Sequence, residues 1–494
     1  MIATRGQETA DVCLIVEGAY PYVVGGVASW LHDLIAGLPD LRFAIVALKP
    51  TPDATAWRAT PPPNVIAVTE VALSPATGRP PWRRDRRPVG RIAELLIGFV
   101  APGGHRQFAE LVAALSDPRG GWTANALLAH PDLFAAIAAH AQRVLPAASF
   151  HHFFWAIRTL LGGLIATLTA PLPPARVYHS VSTGFAGLIA ARAAIATGRP
   201  AMITEHGIYL LERQIEVMMA EWIGDQIDTG LVLDPPQEDL RDIWRRTFEN
   251  YTRVCYDHCD PVIALYAANN DVQARLGADR QRLVAIPNGI DLARFADLPD
   301  ARDAARPLIA LIGRVVPIKD VKTFLRAVAL VHADMPHARF VVLGPLDEDA
   351  DYVAECRALV DTLGIAAAVQ FAGKVRVDDW LPRIDLVVLT SLSEAQPLVI
   401  LEAGACGIPI VAPDVGSCRE LIEGRAPGDR PGGIVTPLVD ADATAGAIRA
   451  LLHDPRLRHR LGADLRDRVH RDHDRDAILA RYRELYAAGG AVVG

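Results

Sequence analysis

Four stretches of the chain bring together residue types that can handle an anion or a row of hydroxyls. Gly313-Arg314-Val315-Val316-Pro317-Ile318-Lys319 sets a guanidinium and an ammonium on one loop behind an apolar run. Two cations converging on one point suit a pyrophosphate; standing alone, they would read as surface charges. Ser393-Glu394-Ala395-Gln396-Pro397-Leu398-Val399-Ile400-Leu401-Glu402 spaces two carboxylates across the start of a helix, with Pro397 suited to its first turn. Acids favour a first turn in any case. The apolar frame of Pro397 to Leu401 favours a ligand role, in which both accept bonds from vicinal hydroxyls. Tyr20-Pro21-Tyr22-Val23-Val24-Gly25-Gly26-Val27 follows an apolar run and precedes a helix pattern. Glycines there let a ligand approach the free N–H groups of a helix start, or they simply form a turn. Thr204-Glu205-His206-Gly207-Ile208-Tyr209 places a histidine at a strand end, where a structural and a catalytic role are about equally expected.

Other features are weaker. Cys255, His258 and Cys259 share a probable helix, but no second pair completes a zinc site, so the thiols read as small buried groups. His151-His152 has no acidic or thiol company, so no metal is expected. His179-Ser180-Val181-Ser182-Thr183-Gly184 opens a Gly/Ala-rich helix and offers hydroxyls to an acceptor. The chain lacks G-x-G-x-x-G after its first strand, a P-loop, and a G-x-S-x-G elbow at that turn.

These loops need elements to hold them. Thirteen short apolar runs, from Val12 to Val16 through Ile434-Val435, alternate with helical patterns and read as strands buried on both faces. Right-handed crossovers then give doubly wound α/β domains, with ligand loops at strand C-termini. The polar stretch Asp297-Leu298-Pro299-Asp300-Ala301-Arg302-Asp303 divides the chain into domains at 1–296 and 305–470. Residues 75–150 read as a helical insertion, and 471–494 as a C-terminal helix packing back on the first domain. The charged pattern from Asp464 to Ala488 reads as one helix. Arg79, Arg83, Arg84, Arg86 and Arg87 form a solvated loop or, on the sharper reading, meet an anionic surface or acidic partner.

The 494 residues are 51% hydrophobic and 22% charged, so large cores are expected. Lys and Arg total 50 against 57 Asp and Glu, a formal charge of −7 that excludes a generally basic nucleic-acid binder. The first ten residues lack a secretory pattern, and the apolar stretch between Arg158 and Arg176 is short and broken by Gly and Pro. With six scattered cysteines, a reduced cytoplasmic protein that is not integral to a membrane is expected.

In combination the motifs resemble retaining glycosyltransferases of family 4, which have the GT-B fold. Gly313-Arg314 with Lys319, the E-x7-E pair Glu394/Glu402, Gly404/Gly407-Ile408-Pro409 and Pro287-Asn288-Gly289-Ile290-Asp291 occur in that family's order. The N-terminal motifs, with Ser393-Glu394-Ala395-Gln396-Pro397-Leu398, look like the PelF-type enzymes of Pel exopolysaccharide synthesis, which use UDP-glucose. Ala395-Gln396-Pro397 stands where many family 4 enzymes carry G-F-G, a change the PelF type shares.

The resemblance implies two Rossmann-like domains facing each other across a cleft whose closure excludes water. It assigns catalysis to Arg314, Lys319, Glu394 and His206. Donor binding would fall to Gly25, Gly26, Asn288, Arg314, Lys319, Glu394, Leu398, Val399 and Glu402. Arg314 and Lys319 would neutralise the departing diphosphate, Glu402 would hold the ribose, Glu394 the transferred sugar, and His206 would lie near its anomeric carbon. Tyr20, Tyr22, Ser182, Thr183 and Glu205 would line the acceptor side. No metal or other cofactor is implied; the partners are a UDP-sugar, a glycan acceptor and a membrane polysaccharide synthase that would hold the protein at the inner face of the membrane. Two other functions fit the residues: a sugar-nucleotide epimerase or hydrolase of the same fold, and a non-catalytic synthase component.

Overall fold

Apolar runs without charge have no face to offer water, so they are stable only between two layers of helices. All thirteen correspond to strands of two parallel sheets; the central ones are buried, whereas Val65–Ala72, Leu283–Ala285 and Val369–Gly373 at the sheet edges are partly exposed. The computed structural model describes residues 8–18, 20–22, 25–52, 57–74, 89–116, 122–144, 150–219 and 240–491. It divides into two units, 1–285 with 481–494, and 286–480.

The first unit holds β1 (Ala10–Glu17), β2 (Phe43–Lys49), β3 (Val65–Ala72), β4 (Ala175–Ser180), β5 (Ala201–Glu205), β6 (Val262–Ala264) and β7 (Leu283–Ala285), in the order β3-β2-β1-β4-β5-β6-β7. Leu14 of β1 pairs with Ile45 on one side and His179 on the other, so the strand order reverses beside β1. Between β3 and β4 lie the helices Gly90–Phe99, Phe108–Ser116, Ala124–Leu128, Pro131–Val144 and Phe150–Thr169. Leu96, Phe99, Phe108, Leu111 and Leu164 bury them in one core continuous with the sheet. Asn250 ties this layer down, its side-chain N–H donating to the Phe99 and Ala101 carbonyls at 2.7 and 2.9 Å. The Arg79 to Arg87 cluster lies outside the described residues.

The second unit holds β8 (Leu308–Ile312), β9 (Arg339–Leu343), β10 (Val369–Gly373), β11 (Leu386–Val388), β12 (Ile410–Pro413) and β13 (Gly433–Thr436), ordered β10-β9-β8-β11-β12-β13. Here the order reverses between β8 and β11. Open parallel sheets take ligands at such a point, outside the strand C-termini. The loops that follow β8 and β11 are the Arg314/Lys319 and Glu394 loops.

Two boundaries differ from the sequence reading. Residues 286–296, expected in the first domain, belong to the second unit, where Ile290 and Phe295 are buried in its core. Local polarity marked 297–303 as a linker, but long-range apolar contacts fix the division after β7. The single helix expected over 464–488 is two helices, Pro455–Asp472 and Arg475–Ala491. Between them the backbone turns to pair with the Pro287 to Asp291 segment. The Ile290 N–H donates to the His473 carbonyl at 2.9 Å, the Arg475 N–H donates to the Ile290 carbonyl at 3.0 Å, and the His473 ring bonds the Asn288 carbonyl at 2.9 Å. These tertiary bonds outweigh helix continuity.

From Arg481 onward the chain belongs to the first unit. Tyr486 shares a 2.7 Å bond with His179, which also bonds Thr204 at 2.9 Å, and Tyr482 lies 3.2 Å from Thr204. Burial pushes His179 down to about 3, so it serves as a neutral link in this chain.

Candidate functional site

In the second unit two loops are built against each other. The Gly313 N–H donates to the Leu343 carbonyl at 2.8 Å, which carries β8 directly into the Arg314 loop. A Cβ on Gly344 would stand 1.9 Å from the Gly313 carbonyl oxygen, so this approach requires glycine. After the 3-10 turn Pro317–Lys319, Asp320 adopts φ 43° and caps the Val321–Asp334 helix by accepting from the Thr323 N–H. A left-handed non-glycine residue is sustained only by its surroundings. Here Thr390 Oγ1 donates to the carbonyls of Lys319 and Asp320 at 3.1 and 2.9 Å, and the Leu392 N–H donates to the Ile318 carbonyl at 2.8 Å. The loop after β11 thereby fixes the loop after β8.

That clamp brings the Lys319 ammonium onto a Glu394 carboxylate oxygen, with both side chains largely covered. Arg314, expected to converge with Lys319, has its own partner: it is half exposed and pairs with Glu348 at 2.9 Å. The structure therefore balances each cation with a separate carboxylate. Glu348 carried no signal in the sequence because its role depends on where the loop after β9 lies.

The Leu398–Ala405 helix begins behind Pro397 with no side-chain cap, leaving first-turn N–H groups for another acceptor. Leu398 and Val399 are half-buried at that start, and Glu402 follows one turn on. Burial raises the Glu402 carboxyl, and Arg294, 3.6 Å away, opposes the rise. Gln396 is buried, and its side-chain oxygen accepts the Asn288 N–H at 2.6 Å. This gives a physical reason for Ala395-Gln396-Pro397: the amide ties the Pro-Asn-Gly turn to the glutamate loop. Asn288 Oδ1 is buried without a hydrogen-bond partner among the described residues. Gly416, at φ 53°, lies against the same loop; a Cβ there would be 1.8 Å from the Glu394 carbonyl oxygen.

In the first unit Gly25 precedes the Gly26–Gly37 helix, again with no side-chain cap. A Cβ on Gly25 or Gly26 would meet nothing within 4 Å, so this helix start is open. Val23 and Val24 lie outside the described residues. His206 follows β5, packs edge-on to Trp30 with ring centroids 4.6 Å apart, and is pushed by burial down to about 4. Its Nε2 is covered and has no hydrogen-bond partner among the described residues.

Four of the five residues expected on the acceptor side have side-chain partners inside the first unit. Glu205 is buried, and its carboxylate takes bonds from Thr183 at 3.0 Å, Tyr256 at 2.8 Å and Gln273 at 2.9 Å. Glu205 and buried Thr183 thus satisfy each other inside the unit. Tyr20 is buried with its hydroxyl toward His32, and Tyr22 donates to Glu70 at 2.6 Å. Glu70, joined also by Trp57 and Lys49, is drawn down to about 2, chiefly by the Tyr22 bond. The strand-end positions are as read, but these side chains turn inward to partners distant in sequence. Ser182 is half-buried, and its N–H points to Ser180 Oγ at 3.5 Å.

Cys255 and Cys259 are free, buried thiols held neutral by that burial. Cys255 Sγ would lie 2.5 Å from a Cβ on Gly187, so it fills packing space. Among the described residues no three His, Cys, Asp or Glu side chains gather as a metal site, and no helix is long and apolar enough to cross a membrane.

Residues 10–281 match the family model described as domain of unknown function DUF3492, and residues 306–454 match the one described as glycosyl transferases group 1. A D-inositol 3-phosphate glycosyltransferase of Kineococcus radiotolerans is 32% identical over 221 residues, 40% of this chain and 51% of that protein. One from Jonesia denitrificans is 28% identical over 256 residues, 47% of this chain and 59% of its own. The chain thus spans about half the length of the curated relatives it matches. Among solved structures, Anabaena HepE in complex with UDP is similar with a TM-score of 0.59 at 16% identity, over 97% of this chain and 99% of HepE. Sucrose-phosphate synthase from Thermosynechococcus elongatus is similar with a TM-score of 0.57 at 18% identity, over 97% and 99% of the two chains. These likenesses show the fold, two doubly wound α/β units of the GT-B type.

Proposed function

We infer a function from one premise: the chain belongs to the DUF3492 family and carries a glycosyl transferases group 1 domain behind that family's region. It is a retaining glycosyltransferase that moves a hexose from a UDP-sugar, UDP-glucose in the first instance, to a growing exopolysaccharide or related glycan. The observation that carries this reading is the pair of interlocked loops at the reversal point of the second sheet, with Lys319 against Glu394. A fold-level likeness to HepE, solved in complexes with UDP and with UDP-glucose, supports the donor class.

The chemistry follows from the charges. A diphosphate carries more charge than one carboxylate and draws Lys319 and Arg314 away from Glu394 and Glu348. The freed Glu394 then accepts from the sugar hydroxyls, while Glu402 accepts from the ribose. The uncapped start of the Leu398–Ala405 helix adds N–H groups and a positive dipole end. As the bond from the anomeric carbon to the phosphate oxygen breaks, negative charge grows on the diphosphate. Fixed cations stabilise it without reorganising. The acceptor oxygen bonds to the same face of the anomeric carbon, and its proton passes to the leaving phosphate oxygen, giving UDP and the glycoside. The two cations do the work a metal would otherwise do. In the first unit His206 stays neutral, and the uncapped, open helix start at Gly25 and Gly26 can take an anion against its backbone N–H groups. A nucleotide-sugar donor places the reaction in the cytoplasm, at the inner face of the membrane when the acceptor belongs to a polysaccharide synthase.

The test is turnover of a panel of UDP-sugars with glucan or amino-glycan acceptors in excess EDTA, with product anomers assigned by NMR. The expected result is UDP release unaffected by chelation and a product with the donor's anomeric configuration. Inverted product overturns retention, and loss of activity in EDTA overturns the metal-free mechanism.

A further inference from the structure

Arg294 sits in the short Ala293–Ala296 helix, just after the Pro287 to Asp291 element, and no motif in the sequence marks it. The structure gives its guanidinium a fixed pose. Nε and Nη2 donate to the two oxygens of Asp378 at 2.9 and 2.5 Å, a two-pronged fork that sets the plane of the group. The guanidinium carbon also lies 5.1 Å from the centroid of the Phe295 ring, and Phe295 is buried in the core. The remaining prong, Nη1, points to Glu402 at 3.6 Å.

That distance is too long for a hydrogen bond and short enough for charge balance. Glu402 therefore has a neighbouring cation while no donor among the described residues occupies its acceptor lone pairs. A carboxylate meant only to staple the helix would use the short bond that Asp378 uses.

On the reading of Glu402 as the ribose ligand, we propose that Arg294, clamped by Asp378, is a positioning residue that orients and charge-balances Glu402 to accept the donor's ribose hydroxyls. Among the described residues, other groups bear on this pair: Asp378 faces Glu402 from its 3-10 turn, Cys406 lies one turn along Glu402's own helix, and Asp291, itself paired with Arg475 at 3.0 Å, adds its charge on the Arg294 side. Burial holds the Cys406 thiol up at about 11, so it is neutral and contributes no balancing charge. Burial and Asp378 both push the Glu402 carboxyl up, and Arg294 pulls it down. Without Arg294, Glu402 takes up a proton more readily, and UDP affinity falls as pH falls.

The experiment is titration of UDP into the full chain at about pH 6 and about pH 8, with melting temperature recorded for each variant. The proteins are wild type, Arg294→Met, Arg294→Lys and Glu402→Gln. The proposal expects Arg294→Met to weaken UDP by about tenfold at pH 8 and more at pH 6, with Arg294→Lys recovering part of the loss. It also expects a wild-type affinity that changes less over that range. If Glu402→Gln weakens UDP while Arg294→Met is flat in pH or only lowers the melting temperature, Arg294 is a structural clip and the proposal alone fails. If Glu402→Gln binds UDP as wild type does, the ribose reading itself is wrong and the proposal falls with it.

Discussion

Lys319 and Glu394 are 75 residues apart in sequence and bonded in the fold. Both residue types were legible as chemistry; their pairing was not, because it depends on how the loops after β8 and β11 cross. The same limit explains Glu205. A glutamate at a strand end beside a histidine looks like a ligand group, but Tyr256 and Gln273 reach it from 51 and 68 residues further on. Glu205→Ala should cost about 3–5 kcal/mol, because three donors lose their partner in a buried site. Urea denaturation measures this, and a loss below about 1 kcal/mol would favour the acceptor-side reading over a structural one. The same residue predicts a pH effect. Burial raises the Glu205 carboxyl above its unfolded value despite the three donors. Its stabilising contribution is therefore complete below the unfolded pKa, near 4.3, and declines as pH rises through the folded one. Compared with Glu205→Gln, the wild type should lose relative stability between about pH 4 and neutrality. A difference constant over that range would mean the carboxyl is not raised.

At the scale of elements, apolar runs identified each strand of the described residues, because a parallel strand set between helix layers carries few polar side chains. Helix ends were less legible. The break at His473 arises from a backbone exchange with Ile290 and a ring bond to Asn288, neither of which leaves a local signature. The Ala395-Gln396-Pro397 departure was visible as a difference and became physical only when Gln396 was found to accept the Asn288 N–H. Glycines make the sharpest prediction at this scale. Gly416→Ala forces a Cβ to 1.8 Å from the Glu394 carbonyl in a left-handed backbone conformation. The Glu394 loop must shift, so UDP-sugar KM should rise by about tenfold or more, with a melting temperature lowered by only a few degrees. An unchanged KM would show that the loop's position is not important to the site.

At the scale of the whole molecule, strand alternation indicated two domains with a helical insertion in the first. The boundary fell at 285/286 and not in the polar stretch, since Ile290 and Phe295 join the second core. The last residues belong to the first unit, where Tyr482 and Tyr486 are fully covered beside His179 and Thr204. Deleting 481–494 exposes these groups and removes the hydroxyl partner of His179, so the first unit should unfold at clearly lower denaturant. Native-like stability of the truncated chain would mean the tail contributes little to that core.

If the interlocked loops of the second unit hold a nucleotide diphosphate with side-chain cations, binding depends on Lys319 and needs no metal. Calorimetric titration of UDP in excess EDTA, for wild type and Lys319→Ala, tests it most directly. The wild type should bind without metal, and Lys319→Ala should bind at least tenfold more weakly at unchanged melting temperature, as expected for loss of a charge-assisted contact. Equal affinity in the two proteins, or wild-type binding that appears only when a divalent cation is restored, would contradict it.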